Sequence, residues 1–429
     1  MAGCEAAWQV AQQGVPVCLY EMKPQRFSAA HDNGDLAELV CSNSLRAAKI
    51  DSAVGLLKEE MRRLGSLIMA AADATAIPAG AALAVDRGLF AAWVTEKIEQ
   101  HPAIMVERQE QTLLPQADSR NPLILAVGPL ATMEIPGALA ELTGSEHLAF
   151  YDAIAPIVAA ESLDMQVVYR KSRWVEDAPG DYLNCPLNRE QYQRLVAELL
   201  SAEKVPLRSF EETCYFEGCL PIEVMAERGP DTLRFGPLKP IGLAHPGSGE
   251  RFYAVVQLRA ENTTGSAYNL VGFQTKLTYT EQKRIFSMIP GLEQAEFLRL
   301  GSIHRNTFVN APAVLQEDLS LRRAPNVYVA GQLAGVEGYV ESAAAGLLAG
   351  IHASRKVLGL PFSPPPAVSA HAALMRHLLH SSPAHFQPSN INFSLFPPLA
   401  GRISKKQRAA LRAEAALAAT DCWRQDLAG

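Results

Sequence analysis

The chain has 429 residues, of which 48% are hydrophobic and 20% charged, and its formal net charge is −6. That length exceeds one simple domain and is enough for a substantial core, so two domains, or one carrying a large insertion, are expected. The acidic balance excludes a whole-protein electrostatic drive toward polyanions, and any nucleic-acid contact must come from local basic patches.

Glu5 to Gln13 read as a helix with Ala6, Ala7, Val10 and Ala11 on one face, stopped by Gly14. Val15 to Tyr20 follow as a buried strand ending at Glu21. A helix, then a parallel-type strand closed by an acidic residue, is the second half of a βαβ unit, so the first strand is expected ahead of residue 1. Ser52 to Ala72 are predicted to form one long amphipathic helix striped by Leu56, Leu57, Met61, Leu64 and Leu67. Arg87 to Gln100 form another helix, and Ile104 to Glu107 and Leu123 to Val127 read as strands. This alternation argues for an α/β sheet. Between about 150 and 300 short strands and turns take over, among them Ala254 to Leu258 and Leu270 to Gln274, as in an inserted α+β domain. Asn326 to Ala330 form a strand, and Gly331 to Ala353 a Gly- and Ala-rich loop running into a helix, which returns the chain to the first sheet. Pro361 to Ala367, with four prolines, is a linker. Arg402 to Leu427 form a last helix carrying Arg402, Lys405, Lys406, Arg408 and Arg412. The expected segments are 1–149 and 301–360 for the two parts of the first domain, 150–300 for the insertion, and 361–429 for the linker and basic helix.

A dinucleotide site places G-x-G-x-x-G after its first strand, with an acidic residue about 20 positions on. Gly3 fits the third glycine and Glu21 the acidic residue. An ordinary helix–strand pair fits this half-motif equally well. Leu123 to Pro129 is an apolar strand followed by Gly128, and Asn326 to Gly350 runs strand, glycine turn, small-residue helix. Small residues let such a helix approach a cofactor with its N-terminus toward anionic or electron-rich groups.

Seven cysteines stand at irregular spacing without a CxxC pair, so no metal site is expected. No basic stretch precedes an apolar run at the start, and no apolar run reaches the roughly 18–20 residues that cross a bilayer. A reducing cytosol with free thiols is expected. Two cysteines sit among polar residues at turns: Cys41 in AELVCSNSLR, beside Ser42 and Arg46, and Cys219 in YFEGCLPIEV. A nucleophilic thiolate needs such partial exposure and a positive or dipolar setting. On chemistry alone a structural role suits each of them as well.

The strings AGCEAAWQVAQQGVPVCLYEMKP, AELVCSNSLR, FEGCLPIEVMAERG, LRFGPLKPIGL, YNLVGFQTKL, HRNTFVNAP and GVEGYVESAAAGLLAG resemble the bacterial folate- and FAD-dependent tRNA (uracil-5-)-methyltransferases. The resemblance runs from residue 2 to about 412. A larger flavoprotein family acting on the tRNA wobble uridine shares the fold but not both cysteine strings. The resemblance implies an α/β fold: a Rossmann-like FAD-binding domain, here with its first strand missing, and an inserted α+β domain. It implies FAD, methylenetetrahydrofolate as carbon donor, NADH or NADPH as reductant, and tRNA as substrate, with no membrane and no protein partner. Cys219 would be the nucleophile that adds to uracil and Cys41 a second active-site thiol. Gly3, Glu21, Gly128, Gly331, Gln332, Gly335, Gly338, Tyr339 and Glu341 would line the FAD; His304 and Arg305 would face the folate; Lys405, Lys406 and Arg408 would touch tRNA phosphates. Family members open with a strand and a glycine pair that this chain lacks, so a start codon placed too late is expected. A flavoprotein oxidoreductase without an RNA substrate and a non-catalytic tRNA-binding protein are the competing readings.

Overall fold

The structure is a computed structural model that describes residues 1–28, 30–128, 134–144, 148–173, 180–206, 220–399 and 404–428, with the backbone alone for 134, 136, 148–152, 305, 405, 406 and 428. The chain begins in helix α1 (Ala2–Gln12), turns at Gly14 and enters strand β1 (Val17–Tyr20). Strand β2 (Ser44–Ala47) leads into α2 (Ala53–Arg63) and α3 (Leu67–Ala74). The single long helix expected over 52–72 is therefore two. Gly65 takes a left-handed φ of 73°, and Ser66 restarts the helix by accepting from the Met69 amide at 3.1 Å. Strands β3 (Ala76–Ile77) and β4 (Ala82–Val85), helix α4 (Arg87–Glu99), strands β5 (Ile104–Glu107) and β6 (Leu123–Leu125), helix α5 (Glu134–Thr143) and strand β7 (Leu148–Ala153) complete this part.

Strand β8 (Ile157–Ala159) opens a second sheet with β9 (Tyr169–Arg170), β10 (Tyr182–Leu187), helices α6 (Arg189–Ser201), α7 (Ile222–Glu227) and α8 (Thr232–Phe235), strands β11 (Ala254–Ala260) and β12 (Ala267–Leu270), helix α9 (Tyr279–Phe286) and strand β13 (Phe297–Arg299). The strand expected over Leu270–Gln274 lies earlier, at Ala267–Leu270, because Val271–Gly272 is a turn and Gly272 takes φ 80°. The order is β13-β8-β12-β11-β10-β9, antiparallel wherever register is defined. Tyr192, Leu195 and Leu199 of α6 and Ile285 and Phe286 of α9 cover it, giving this sheet its own core.

Strand β14 (Ile303–Phe308) pairs antiparallel with β7. Helix α10 (Ala311–Val314) and strand β15 (Val327–Val329) follow, then α11 (Tyr339–Val357), α12 (Ala370–His380) and α13 (Lys405–Ala428). The first core thus gathers α1 to β6 and the returning β15 and α11. Its parallel strands form two pairs, β1 with β5 and β15 with β6. Helix α1 lies over both pairs: a Cβ on Gly3 would be 3.7 Å from Leu19 of β1 and 3.5 Å from Ala126 beyond β6. The small-residue stripe of α11 packs on α1 so closely that a Cβ at Gly346 or Gly350 would fall 2.3 or 2.6 Å from the Ala2 or Ala6 carbonyl oxygen.

Candidate active site

Three elements hold the loop carrying Cys41. Asn43 is fully buried, and its Nδ2 donates to the carbonyls of Val85 at 3.0 Å and Ala260 at 2.8 Å, the ends of β4 and β11. Arg259 of β11 reaches the same loop, its Nε donating to Asn43 Oδ1 at 2.8 Å and its Nη2 to Ser42 Oγ at 2.7 Å. Arg87, which opens α4, donates to Glu261 at 2.9 Å and to the Leu39 carbonyl. A guanidinium in the largely apolar strand AVVQLRA is tolerated because these partners accept its hydrogen bonds.

Tyr339, the first residue of α11, closes the cluster. Its hydroxyl accepts from the Cys41 amide at 2.8 Å and donates to Cys41 Sγ at 3.2 Å. Burial, and next the Cys41 sulfur, hold this phenol well above its ordinary pKa, so it stays a proton donor. Arg87 and Arg259 are within electrostatic reach of Cys41, and both charges favour an ionised sulfur.

Beside Tyr339, Gly338 takes φ 104°, and a Cβ there would lie 2.5 Å from Glu341 Oε2. Glu341 is fully buried; its Oε1 accepts from Arg46 and from the Ile391 amide at 2.8 Å, while its Oε2 meets no donor among the described residues. A buried acceptor left open costs about 1–3 kcal/mol, which a ligand bringing an N–H or O–H would recover. Lys58 of α2 supports Arg46 from below by donating to the carbonyls of Leu45, Arg46 and Ala47 at 2.8, 3.3 and 2.6 Å. Burial, then the charges of Arg46 and Arg62, push the Lys58 amine down to about 8.

Of the rest of the expected cofactor set, Gly3 and Gly331 lie at the start of α1, whose N-cap position makes no side-chain hydrogen bond. Gly331, at φ 71°, turns so close that a Cβ on it would be 2.9 Å from the Ala2 side chain. An uncapped helix N-terminus facing a glycine turn is suited to the pyrophosphate of a dinucleotide. Glu21 ends β1, where its Oε1 accepts from the Lys23 amide at 3.0 Å, within electrostatic reach of Cys4 in the first turn of α1. Gly128 takes φ 74° beside open space. Gln332 donates to Glu337 at 2.9 Å, and the space over Gly335 is filled by Phe386, a packing reason for that glycine.

His304 lies in β14 with its Nε2 2.9 Å from Ser302 Oγ, and burial, then Arg299, lower its pKa, so it is neutral near pH 7. Arg408 is exposed on α13, a helix that packs along α2. Cys219 lies outside the described residues, as do the side chains of Arg305, Lys405 and Lys406. Sequence reasoning missed Asn43, Lys58, Arg87 and Arg259. The available signals were a lysine on the apolar stripe Val54, Lys58, Met61 and a lone arginine inside an apolar strand.

The model of the glucose inhibited division protein A family matches residues 1–361. The methylenetetrahydrofolate--tRNA-(uracil-5-)-methyltransferase TrmFO of Geobacter sulfurreducens is 58% identical over 99% of this chain and 96% of its own length. The protein of the same name from Desulfotalea psychrophila is 56% identical over 99% and 95%. The crystal structure of Aquifex aeolicus GidA, form II, superposes with a TM-score of 0.70 at 15% identity, over 99% of this chain and 72% of that one, a likeness of fold. A family match over most of the chain, joined to relatives more than half identical from end to end, means that the chain belongs to the glucose inhibited division protein A family, among its methylenetetrahydrofolate--tRNA-(uracil-5-)-methyltransferases.

Proposed function

We propose that this chain methylates C5 of a uracil in the tRNA T-loop, taking the carbon from methylenetetrahydrofolate with FAD bound and NADH or NADPH as reductant. The observation that carries the reading is the Tyr339 hydroxyl held 3.2 Å from the Cys41 sulfur, at the mouth of a glycine-turned helix and under two arginines. The residues present fit FAD. The uncapped end of α1 with Gly3 and the turn at Gly331 and Gln332 would take the pyrophosphate, Glu21 a ribose, and Gly128 a flank. Gly338, Tyr339 and the open Glu341 oxygen would meet the ring. Bound there, the flavin supplies reducing equivalents and a nitrogen that carries the one-carbon unit.

Uracil C5 is a weak nucleophile until a thiolate adds at C6 and leaves an enolate. Cys219 supplies that thiolate. After C5 gains its carbon, the C5 proton must leave before the C6–S bond breaks. Cys41, tuned by Tyr339, Arg87 and Arg259, takes this acid–base role. Neutral His304 stacks on the pterin and Arg305 pairs with the folate carboxylates, while Lys405, Lys406 and Arg408 hold RNA phosphates. Among the described residues no helix is long and apolar enough to cross a membrane, and we place the reaction in the cytosol.

The test is nucleoside mass spectrometry of tRNA lacking 5-methyluridine after incubation with the chain, methylenetetrahydrofolate and a nicotinamide reductant. 5-Methyluridine should appear with the wild type and be absent with Cys219→Ala while the flavin absorption bands persist. Turnover by Cys219→Ala would remove the nucleophile assignment, and a wild type that never methylates would remove the reading.

A further inference from the structure

At the end of the six-stranded sheet where β11 begins, away from Cys41, a cleft of about 400 Å³ opens between the start of α6, α8 and the residues leading into β11. Arg189, Arg234 and Arg251 line it with Phe252 and Tyr253, and Glu250 is its one acid. Arg234 is fixed: its Nε donates to the Tyr253 carbonyl at 3.0 Å, and its guanidinium lies 4.2 Å over the Tyr253 ring and 5.4 Å from that of Phe235. Arg189 and Arg251 are exposed, and neither side chain has an ion-pair or hydrogen-bond partner among the described residues. Phe235, next to Arg234 in α8, is 68% exposed, a large apolar ring with the Arg234 guanidinium on one side of it. The α6 N-terminus does not account for the site, since Asn188 and Gln191 cap it reciprocally.

Unpaired guanidiniums around a clamped one, next to an exposed aromatic ring, form a recognition surface for phosphodiesters with an unstacked base beside them. On a chain of net charge −6, such a local cluster is what a polyanion would require. Strand β11 links this cleft to the reaction centre. It starts one residue after Tyr253 and carries Arg259, which grips Ser42 and Asn43 next to Cys41. Six residues at about 3.3 Å each separate the two ends by roughly 20 Å, within the span of a tRNA arm. We propose that the Arg189–Arg234–Arg251 cleft, with Phe235, is a second anchoring site for the substrate RNA, binding two neighbouring backbone phosphates and one flipped-out base away from the reacting uracil. The proposal rests on the reading of the chain as a tRNA methyltransferase.

The experiment measures binding of an unmodified tRNA transcript to the full chain across a salt series, with methyl transfer scored in the same samples. The double variant Arg189→Glu/Arg251→Glu should bind at least ~10-fold more weakly, and its log K against log salt should be shallower by roughly 1.4–1.8, as for two lost phosphate contacts. Phe235→Ala should weaken binding by ~5-fold or more and leave the slope in place, because stacking releases no counterions. A charge-matched pair outside the cleft, Lys97→Glu/Arg120→Glu, should change neither slope nor affinity. Wild-type affinity and slope in the double variant, or equal losses in the control pair, would overturn the proposal. If the wild type methylates while the cleft variants bind normally, only the cleft assignment falls. RNA binding through the cleft without methylation removes the enzyme reading alone, and a wild type that neither binds nor methylates removes both.

Discussion

At the Tyr339 hydroxyl one oxygen serves three partners, the Cys41 amide, the more distant Ser42 amide and the Cys41 sulfur. Replacing it by hydrogen in Tyr339→Phe leaves a part-buried amide without its acceptor, a cost of about 1–3 kcal/mol that urea unfolding would report. The same change takes a donor from the Cys41 sulfur. Alkylation of Cys41 at neutral pH should therefore slow several-fold, and methyl transfer should fall by ~100-fold or more, the scale of a lost acid–base contribution. Reduced stability with alkylation and turnover intact would confine the hydroxyl to bracing the loop. Cys41, Tyr339 and Glu341 were legible in the sequence because each stands in a peculiar local string. Arg87 and Arg259 were not, because their meaning lies in partners on other elements: Arg259 and Asn43 are 216 positions apart, and no local pattern records that pairing.

Among the elements, α2 and β2 depend on a charge in an apolar place. Lys58 has no exposure and donates to three successive carbonyls at the end of β2, beneath Arg46, whose φ of 64° is rare for a residue with a side chain. Its amine titrates near 8 when folded, below its ordinary value of 10.5. Between these limits the unfolded chain binds more protons than the folded one, so folding stability rises with pH across the window and is flat below it. Relative to Lys58→Met, the wild type should gain up to about 3 kcal/mol between pH 7 and 10, read as the difference in urea unfolding free energy. A difference that stays constant or shrinks would show that the amine is not strained by its burial. Periodicity located α2 but ran it on through Gly65, since Leu64 and Leu67 continue the stripe across a residue whose left-handed φ ends the helix. It displaced β12 for a related reason: a turn of apolar residues, Val271 to Phe273, reads as a strand until Gly272 is seen at φ 80°.

Across the whole molecule, the six-stranded sheet meets the segment from Ala79 to Arg87 through polar contacts, beside a small apolar cluster of Ile77, Ala79, Ala84 and Ala260. Asp86 accepts from the Thr263 amide at 2.9 Å, the Tyr182 hydroxyl donates to Ala79 at 3.0 Å, Arg87 joins Glu261, and Arg259 spans to Ser42 and Asn43. Polar junctions of this kind leave domains free to shift unless a contact fixes them. Arg259 and the Ala260 carbonyl of β11 touch the cysteine loop directly, and Arg87 joins Glu261 to the Leu39 carbonyl of the same loop, so the six-stranded sheet helps set the position of Cys41 instead of merely packing beside it. Arg259→Lys keeps the charge and loses the fork, and one ammonium cannot serve both Ser42 and Asn43 with the same geometry. Methyl transfer should fall ~10-fold or more, as a small misplacement of reacting groups predicts. Alkylation of Cys41 should rise as its loop loosens, while bound flavin is retained because the cradle at α1 and Gly331 is untouched. Loss of flavin together with turnover would instead mean that Arg259 holds up the fold of the first unit. Unchanged alkylation and turnover would mean that the loop is set by Asn43 and its two backbone partners, at the ends of β4 and β11, without help from the Arg259 side chain.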